Sequence, residues 1–340
     1  MTDPARRSTR TRVWLAVAGF GAVATLTCVL APLVGTTSIS FTRAFDRSIP
    51  FADNVDAQIF FVARLPRVVA GALVGAALAA AGVVFQALLR NPLATPFTLG
   101  VSAGASLGAM LVLILGGGAV VFGAWSPVPL ASLLGAGAAS TVVYVLANSP
   151  GRAMSTTVLL LAGVTLNAFL SALILFVQFL ADFADVYRAV RWLMGDLDVG
   201  SFDPILAALP LLLLAGAGFA TLPSSLNLLS VGADLAAHRG VNVARTQKWA
   251  FASASLATSA AVAVGGPIGF IGIIVPHLVR LLVGADHRVL LPASALFGAA
   301  FLVACDLLAR TVMAPVEIPV GVVTALLGGP FFLWLLVRHA

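Results

Sequence analysis

The sequence predicts an all-α polytopic membrane protein of about ten transmembrane helices, organised as one domain over residues 1–340. Three observations carry that prediction. The chain is 60% hydrophobic and only 9% charged, with a mean hydropathy of +1.07. A water-soluble domain carries about 25% charged residues, so no aqueous fold could hide this much apolar surface. The apolar residues also come in stretches of about one bilayer thickness, separated by short polar joints. Only one of those joints, residues 222–240, is a long polar island between apolar runs that offers short amphipathic helices.

Taken in order, residues 1–12 carry Arg6, Arg7, Arg10 and Arg12 and read as a polar terminus, after which residues 13–34 are apolar. A cleaved leader would have a shorter apolar core ending in a small-residue cleavage site, so this stretch is read as the first span. Residues 35–58 form a polar loop. Residues 59–89 make a long second span, with Arg64, Pro66 and Arg67 near its start and an uninterrupted part from Val68. Further spans are expected at 97–115, 128–146, 158–180, 205–222, 249–264, 268–283, 289–309 and 320–337. Those near Phe97 and Ile268 are short and flanked by Gly and Pro, which predicts broken or tilted helices facing protein rather than lipid. Gly71, Gly75, Ala79 and Gly82 recur at helical spacing. Small residues let helices approach closely in lipid, so these positions predict packing rather than ligand binding.

Within the island, Ser224 or Ser225 can cap a first short helix, Gly232 can end it in a left-handed turn, and Asp234 can cap a second that stops at Gly240. Such a pair would expose Leu226, Leu228, Leu229 and Leu235 beside Asp234, His238 and Arg239. A bilayer has no use for that piece, whereas a groove on a soluble partner does; a plain solvated loop is the alternative.

With the N-terminus inside, the inner segments hold eleven basic residues against three acids, and the outer ones seven against nine. That bias predicts a multi-pass protein with both termini and the island in the cytoplasm. The net charge of +6 reflects this orientation and not nucleic acid, because the basic residues are scattered and no aromatic-interleaved patch exists. Cys28 and Cys305 fall inside apolar spans and read as core residues, with no metal site or disulfide implied. Asp306 and Arg310, four apart, predict a structural ion pair, and Arg280 sits where it can snorkel to an inner surface. His277, beside Pro276, is read as a packed histidine in preference to a haem ligand. No catalytic constellation is evident. There is also no phosphate-cradling Gly-x-x-x-x-Gly-Lys-[Ser/Thr] loop, so any ATP that drives this chain binds elsewhere.

One run carries Arg64, Pro66, Arg67, Gly71, Gly75, Gly82, Gln86, Arg90, Asn91, Pro92 and Leu93, and continues through Leu99-Gly100-Val101-Ser102-Ala103-Gly104. With Leu160-Leu-Ala-Gly163, Trp192-Leu-Met-Gly195, Gly265-Gly-Pro267 to Pro276-His277-Leu-Val-Arg280, Asp286-His287-Arg288 and Glu317-Ile-Pro319-Val-Gly321, it closely resembles the FecCD/BtuC-like permeases of type II bacterial ABC importers. The resemblance covers about Arg64 to Arg338; residues 1–60 match in character only. It implies a permease subunit in the bacterial inner membrane that moves a metal chelate (ferric siderophore, haem or cobalamin). Ten helices per permease are expected, and a second permease copy, in a homodimer.

The resemblance further implies two ATP-binding-cassette ATPase subunits, which would hold the ATP and Mg, and a periplasmic or lipoprotein substrate-binding protein. This chain would bind no cofactor itself. Position by position, residues 223–245 correspond to the coupling helices, assigning Leu226, Leu228, Leu229, Asp234, His238 and Arg239 to ATPase contact. Arg64, Arg67 and Arg310 match outer-face arginines that receive the binding protein's carboxylates; guanidinium forks at a wet rim suit that task, and headgroup anchoring is the alternative. Asn91 and Leu93 match an inner gate, and Ser155, Thr156 and Thr157 a gate-forming segment, for which simple capping of the following span is the alternative. An ion-coupled secondary transporter would instead want paired acids within the membrane, and an intramembrane enzyme a nucleophile and base on facing helices; neither set is identifiable in the sequence.

Overall fold

A computed structural model describes residues 4–115, 127–148 and 154–339. The first three residues of the expected inner terminus, and part of the inner joint containing Arg152, lie outside that set. Among the described residues the chain is helical, with no strand. The helices are α1 (Pro4–Leu30), the short α2 (Phe41–Ala44) and α3 (Val55–Gln58), α4 (Leu65–Leu89), α5 (Val101–Leu115), α6 (Pro127–Ala147), α7 (Thr156–Phe179) and α8 (Phe183–Leu193). They continue as α9 (Asp203–Thr221), α10 (Pro223–Val231), α11 (Ala233–His238), α12 (Val243–Gly265), α13 (Ile271–Val283), α14 (His287–Thr311) and α15 (Val320–His339). Among the described residues, six helical stretches are long and apolar enough to cross a membrane: Arg10–Leu33, Val55–Leu89, Pro127–Ala147, Thr156–Phe179, Asp203–Thr221 and His287–Thr311. Three shorter apolar helices and α12, rich in Ser, Thr and Ala, pack among them.

α4 is the axis of the bundle. It packs against α12, α13 and α14, and nearly all of it from Pro66 to Leu89 is buried. Its glycines make this possible. A Cβ on Gly75 would lie 2.2 Å from the carbonyl oxygen of Gly298 on α14, and one on Gly82 would lie 2.2 Å from that of Gly272 on α13. The same device joins α5 to α6 through Gly104 and Gly135. Backbones thus touch directly, and van der Waals contact supplies the association that hydrophobicity cannot supply in lipid.

Of the two short spans expected to be broken or tilted, the first is broken at its start and the second is a single helix that begins only at Ile271. A 3-10 turn, Phe97–Leu99, and left-handed Gly100 precede α5, and Phe270 at φ +67° opens α13. Two features depart from the reading of the sequence. α1 starts at Pro4, so most of the basic terminus is helical and continuous with the first span. The joint after α7 contains the amphipathic helix α8, which packs on α5.

Candidate functional site

The island forms two helices, as expected, with different terminal chemistry. α10 starts at Pro223 behind Leu222, and no serine side chain caps it. Gly232, at φ +151° and ψ +146°, ends it in a conformation other than a left-handed helical turn and itself serves as the N-cap of α11. Asp234 therefore sits in the first turn, where a carboxylate still meets the positive helix end.

The exposure of the leucines corrects the expected contact set. Leu226 is 0% and Leu229 4% exposed. Both point into the core, and the half-buried Leu228 packs against it. On a nine-residue helix, residues three apart share a face, and that face anchors the island. What the island offers to water is Val231, Asp234, Leu235, His238 and Arg239. A polar clasp completes the anchor. Asn227 Nδ2 donates to Asp286 Oδ1 at 2.7 Å, while Asn227 Oδ1 accepts from the His287 backbone N–H at 2.8 Å and lies 2.7 Å from His287 Nδ1. Arg288 donates to Asp286 through both Nε and Nη2. These bonds hold Asp286 well below the usual carboxylate range, at about 2, with Arg288 the largest favourable contributor. The island is thereby tied to the first turn of α14. Nothing in the sequence singled out Asn227.

At the other end of α14 the three expected docking arginines are buried, at 6%, 8% and 5% exposure for Arg64, Arg67 and Arg310. This overturns the picture of free guanidinium forks at a wet rim. Arg67 donates through Nε to Asp306 at 2.9 Å and through Nη1 to Glu317 at 2.7 Å. Arg310 approaches the same Asp306 at 3.7 Å, which gives the predicted i,i+4 pair, and donates to the Ala31 carbonyl. Arg64, on a π-helical segment Ile59–Arg64, donates to the carbonyls of Pro32 and Thr37. Buried guanidiniums require such partners, and here they knit α1, α4, α14 and the loop before α15 together. Arg43, Arg47, Arg188 and Arg191, in the joints expected on the outer face, are exposed instead.

The expected gate residues sit in two separate turns. Asn91 Oδ1 accepts from the Leu93 backbone N–H at 2.9 Å, closing a turn that leaves Leu93 40% exposed. Ser155 Oγ caps α7 by accepting from Val158, so capping is established for it, while Thr157 is exposed and Thr156 half-buried. No hydrogen bond joins the two turns among the described residues. Gln247 brackets the approach to α7 by binding Met154 on both backbone atoms. Gln86 connects the Gly272 carbonyl to Arg280, so Arg280 is held by an amide in addition to any reach toward the surface. His277 packs edge-on against Phe331, with ring centroids 6.0 Å apart, in line with a packed histidine.

The model of the FecCD transport family matches residues 23–338, extending the likeness N-terminally past Arg64. The chain is 42% identical over 319 residues to the cobalamin import system permease protein BtuC of Halobacterium salinarum, covering 93% of this chain and 84% of that one. It is 38% identical over 306 residues to the hemin transport system permease protein HmuU of Yersinia pestis, covering 90% of each. A solved structure described as "an inward-facing conformation of a putative metal-chelate type ABC transporter" superimposes with a TM-score of 0.80 at 32% identity, covering 95% of this chain and 98% of that one.

Proposed function

The chain belongs to the FecCD transport family, and from that premise we propose that it is the permease subunit of an ATP-binding-cassette importer that carries a metal chelate inward across the bacterial inner membrane. Its relatives include permeases for cobalamin and for hemin, so the cargo belongs to the chelate class that also holds ferric siderophores. In this reading the six long apolar helices, the three shorter ones and α12 make ten crossings, with both termini inside. Two copies pair, two ATPase subunits dock from the cytoplasm, and a binding protein delivers cargo from outside. The turns at Asn91 and Leu93 and at Ser155, Thr156 and Thr157 serve as the inner gate. Asp306, the acid inside α14, is held by Arg67 and Arg310, which favours ATP-driven transport over an ion-coupled carrier that would need a free acid there.

The observation that carries the proposal is the island. Its apolar anchor is spent inside, yet Val231 at 69% and Leu235 at 57% exposure remain beside the exposed Asp234, His238 and Arg239, on the joint that this reading puts in the cytoplasm. A small amphipathic face of this kind, fixed to the bundle, suits a groove on a soluble ATPase. Replacing Leu235 with Asp puts an unpaired charge into that contact. ATPase co-purification and ATP-dependent uptake should both fall about tenfold or more, since a buried charge costs on the order of 2 kcal/mol or above. Wild-type association of Leu235→Asp would remove the basis of the proposal.

A further inference from the structure

α12 is a recessed helix. Its small Ser, Thr and Ala side chains let it pack deep against α4, α6 and α9, and between Trp249 and Val264 only Ala252 and Leu256 are not buried. Leu134 on α6 and Leu214 on α9 stand exposed to either side, so α12 floors a furrow between them. Two grooves follow that floor. One, of about 740 Å³, lies against α9, where Leu214, Ala217 and Gly218 line it together with Arg245 and Trp249 of α12. The other, of about 380 Å³, lies against α6, where Gly137, Thr141 and Tyr144 line it together with Lys248. Both volumes fall within the range of ligand pockets. Ala252 and Leu256 belong to both grooves, which therefore flank one low ridge. From Arg245 to Leu256 the helix rises about 16 Å, and one leaflet supplies about 15 Å of hydrocarbon. The furrow is one leaflet deep.

Its inner end carries charge that the bundle leaves unpaired. Other cations at that end are held by the protein: Arg12 donates to the Val283 carbonyl, Arg280 to Gln86 and Arg288 to Asp286. The side chains of Arg245 and Lys248 are exposed and form no hydrogen bond or ion pair with any described residue. They stand three apart on one helix, with about 5–6 Å between their Cβ atoms. Ser225 adds a hydroxyl to the first groove and Tyr144 a phenol to the second. Trp249, 54% exposed, is the kind of amphipathic ring that settles at a membrane interface. We propose that the furrow holds one diacyl phospholipid of net negative charge from the inner leaflet. Its phosphate lies between Arg245 and Lys248, and its two chains run in the two grooves on either side of the ridge. Charge complementarity selects this occupant, because two unpaired cations favour a net negative headgroup over a zwitterionic one that brings its own ammonium. The outer continuation of the furrow ends at Asp203 and offers no such cation among the described residues. Leu222 and Ser225, where the island begins, line the first groove, so the lipid also braces the island's seat. The inference takes from the importer reading only which side of the membrane is inner.

The test uses the full complex, delipidated in detergent and titrated with phosphatidylglycerol or phosphatidylcholine of matched chains, with bound lipid counted by native mass spectrometry. The wild type should bind its first phosphatidylglycerol about twentyfold more tightly than phosphatidylcholine, since each Lys or Arg near a membrane surface is worth about fivefold. Arg245→Gln with Lys248→Gln should bring the two lipids to about equal affinity. Ala252→Phe, at an exposed position common to both grooves, should weaken both lipids with the cations intact. Equal affinities in the wild type, selectivity that persists in the double Gln variant, or wild-type binding by Ala252→Phe would each overturn the assignment. If the double variant kept its lipid selectivity and lost the ATPase, the two cations would face that partner instead of lipid. Binding is read without transport, so failure of ATP-dependent uptake for every chelate tried, with lipid selectivity intact, would defeat the importer reading and leave the lipid site standing.

Discussion

Arg67 holds two carboxylates at once, and they differ in surroundings: Asp306 is 3% exposed in its side chain and Glu317 42%. The inner pair is the structural one, because breaking it leaves a charge in a medium that cannot solvate it. Arg67→Ala should therefore lower the unfolding free energy of the detergent-solubilised permease by about 3–5 kcal/mol. The double replacement Arg67→Ala with Asp306→Ala should cost clearly less than the sum of the two single ones. Thermal or denaturant melts of the four proteins measure this, and additive losses would mean that the pair is not coupled. Glu317 is the weaker partner, so Glu317→Gln should shift stability by less than about 1 kcal/mol.

At the scale of elements, α14 joins the two ends of the molecule: its first turn receives Asn227 from the island, and its last turns carry Asp306 and Arg310. Since Asp286 is held at about 2, its stabilising contribution is complete above the ordinary carboxylate value near pH 4 and is lost only as pH falls toward 2. ATPase association with the wild type should thus be flat between about pH 5 and 8. Asn227→Asp should change that. It sets a second carboxylate against Asp286, and like charges raise one of the two pKa values until a proton is shared. Association of the variant should be weakest at about pH 8 and recover toward about pH 5, as measured by co-purification across pH; a flat profile would mean that the clasp does not position the island. Much of the element plan was legible beforehand, since a bilayer demands length. Residues 128–146 became Pro127–Ala147 and residues 320–337 became Val320–His339. α8 was not legible, because its eleven residues mix Phe183, Tyr187 and Trp192 with Asp185, Arg188 and Arg191 and leave no hydropathy signal. Nor was the inward turn of Leu226 and Leu229: four leucines on two short helices fit several faces until α4 and α14 are placed. The arginine cluster stayed hidden because Arg67 finds its partners 239 and 250 residues away.

The whole molecule is lopsided. α7 packs on α5, α6 and the turn Phe97–Leu99 along one side, while Leu161, Phe169, Phe176 and Phe179 are bare on the other. Lipid alone would accept the apolar part of that face. It does not accept the adjoining edge with Asn167, Ser171 and Gln178, so α7 stands at a boundary between hydrocarbon and something wetter. One bundle also has little internal room, since its backbones touch at Gly75 and Gly298 and at Gly104 and Gly135. A path wide enough for a chelate is then most simply formed between two copies, and closed two-fold symmetry gives the pair two islands for two ATPase subunits. Under that arrangement the inner ends of the two α7 helices approach each other, and Thr157, which is exposed, is the position to probe. The variant Thr157→Cys, in the background lacking Cys28 and Cys305, should cross-link between copies in membranes, with a yield that shifts when ATP or vanadate is added. Absence of cross-links, or ATP-dependent uptake by a single copy isolated in a nanodisc, would return the path to the interior of one bundle. Cross-linking only to an unlike permease would keep the path between subunits and replace the second copy with a paralogue.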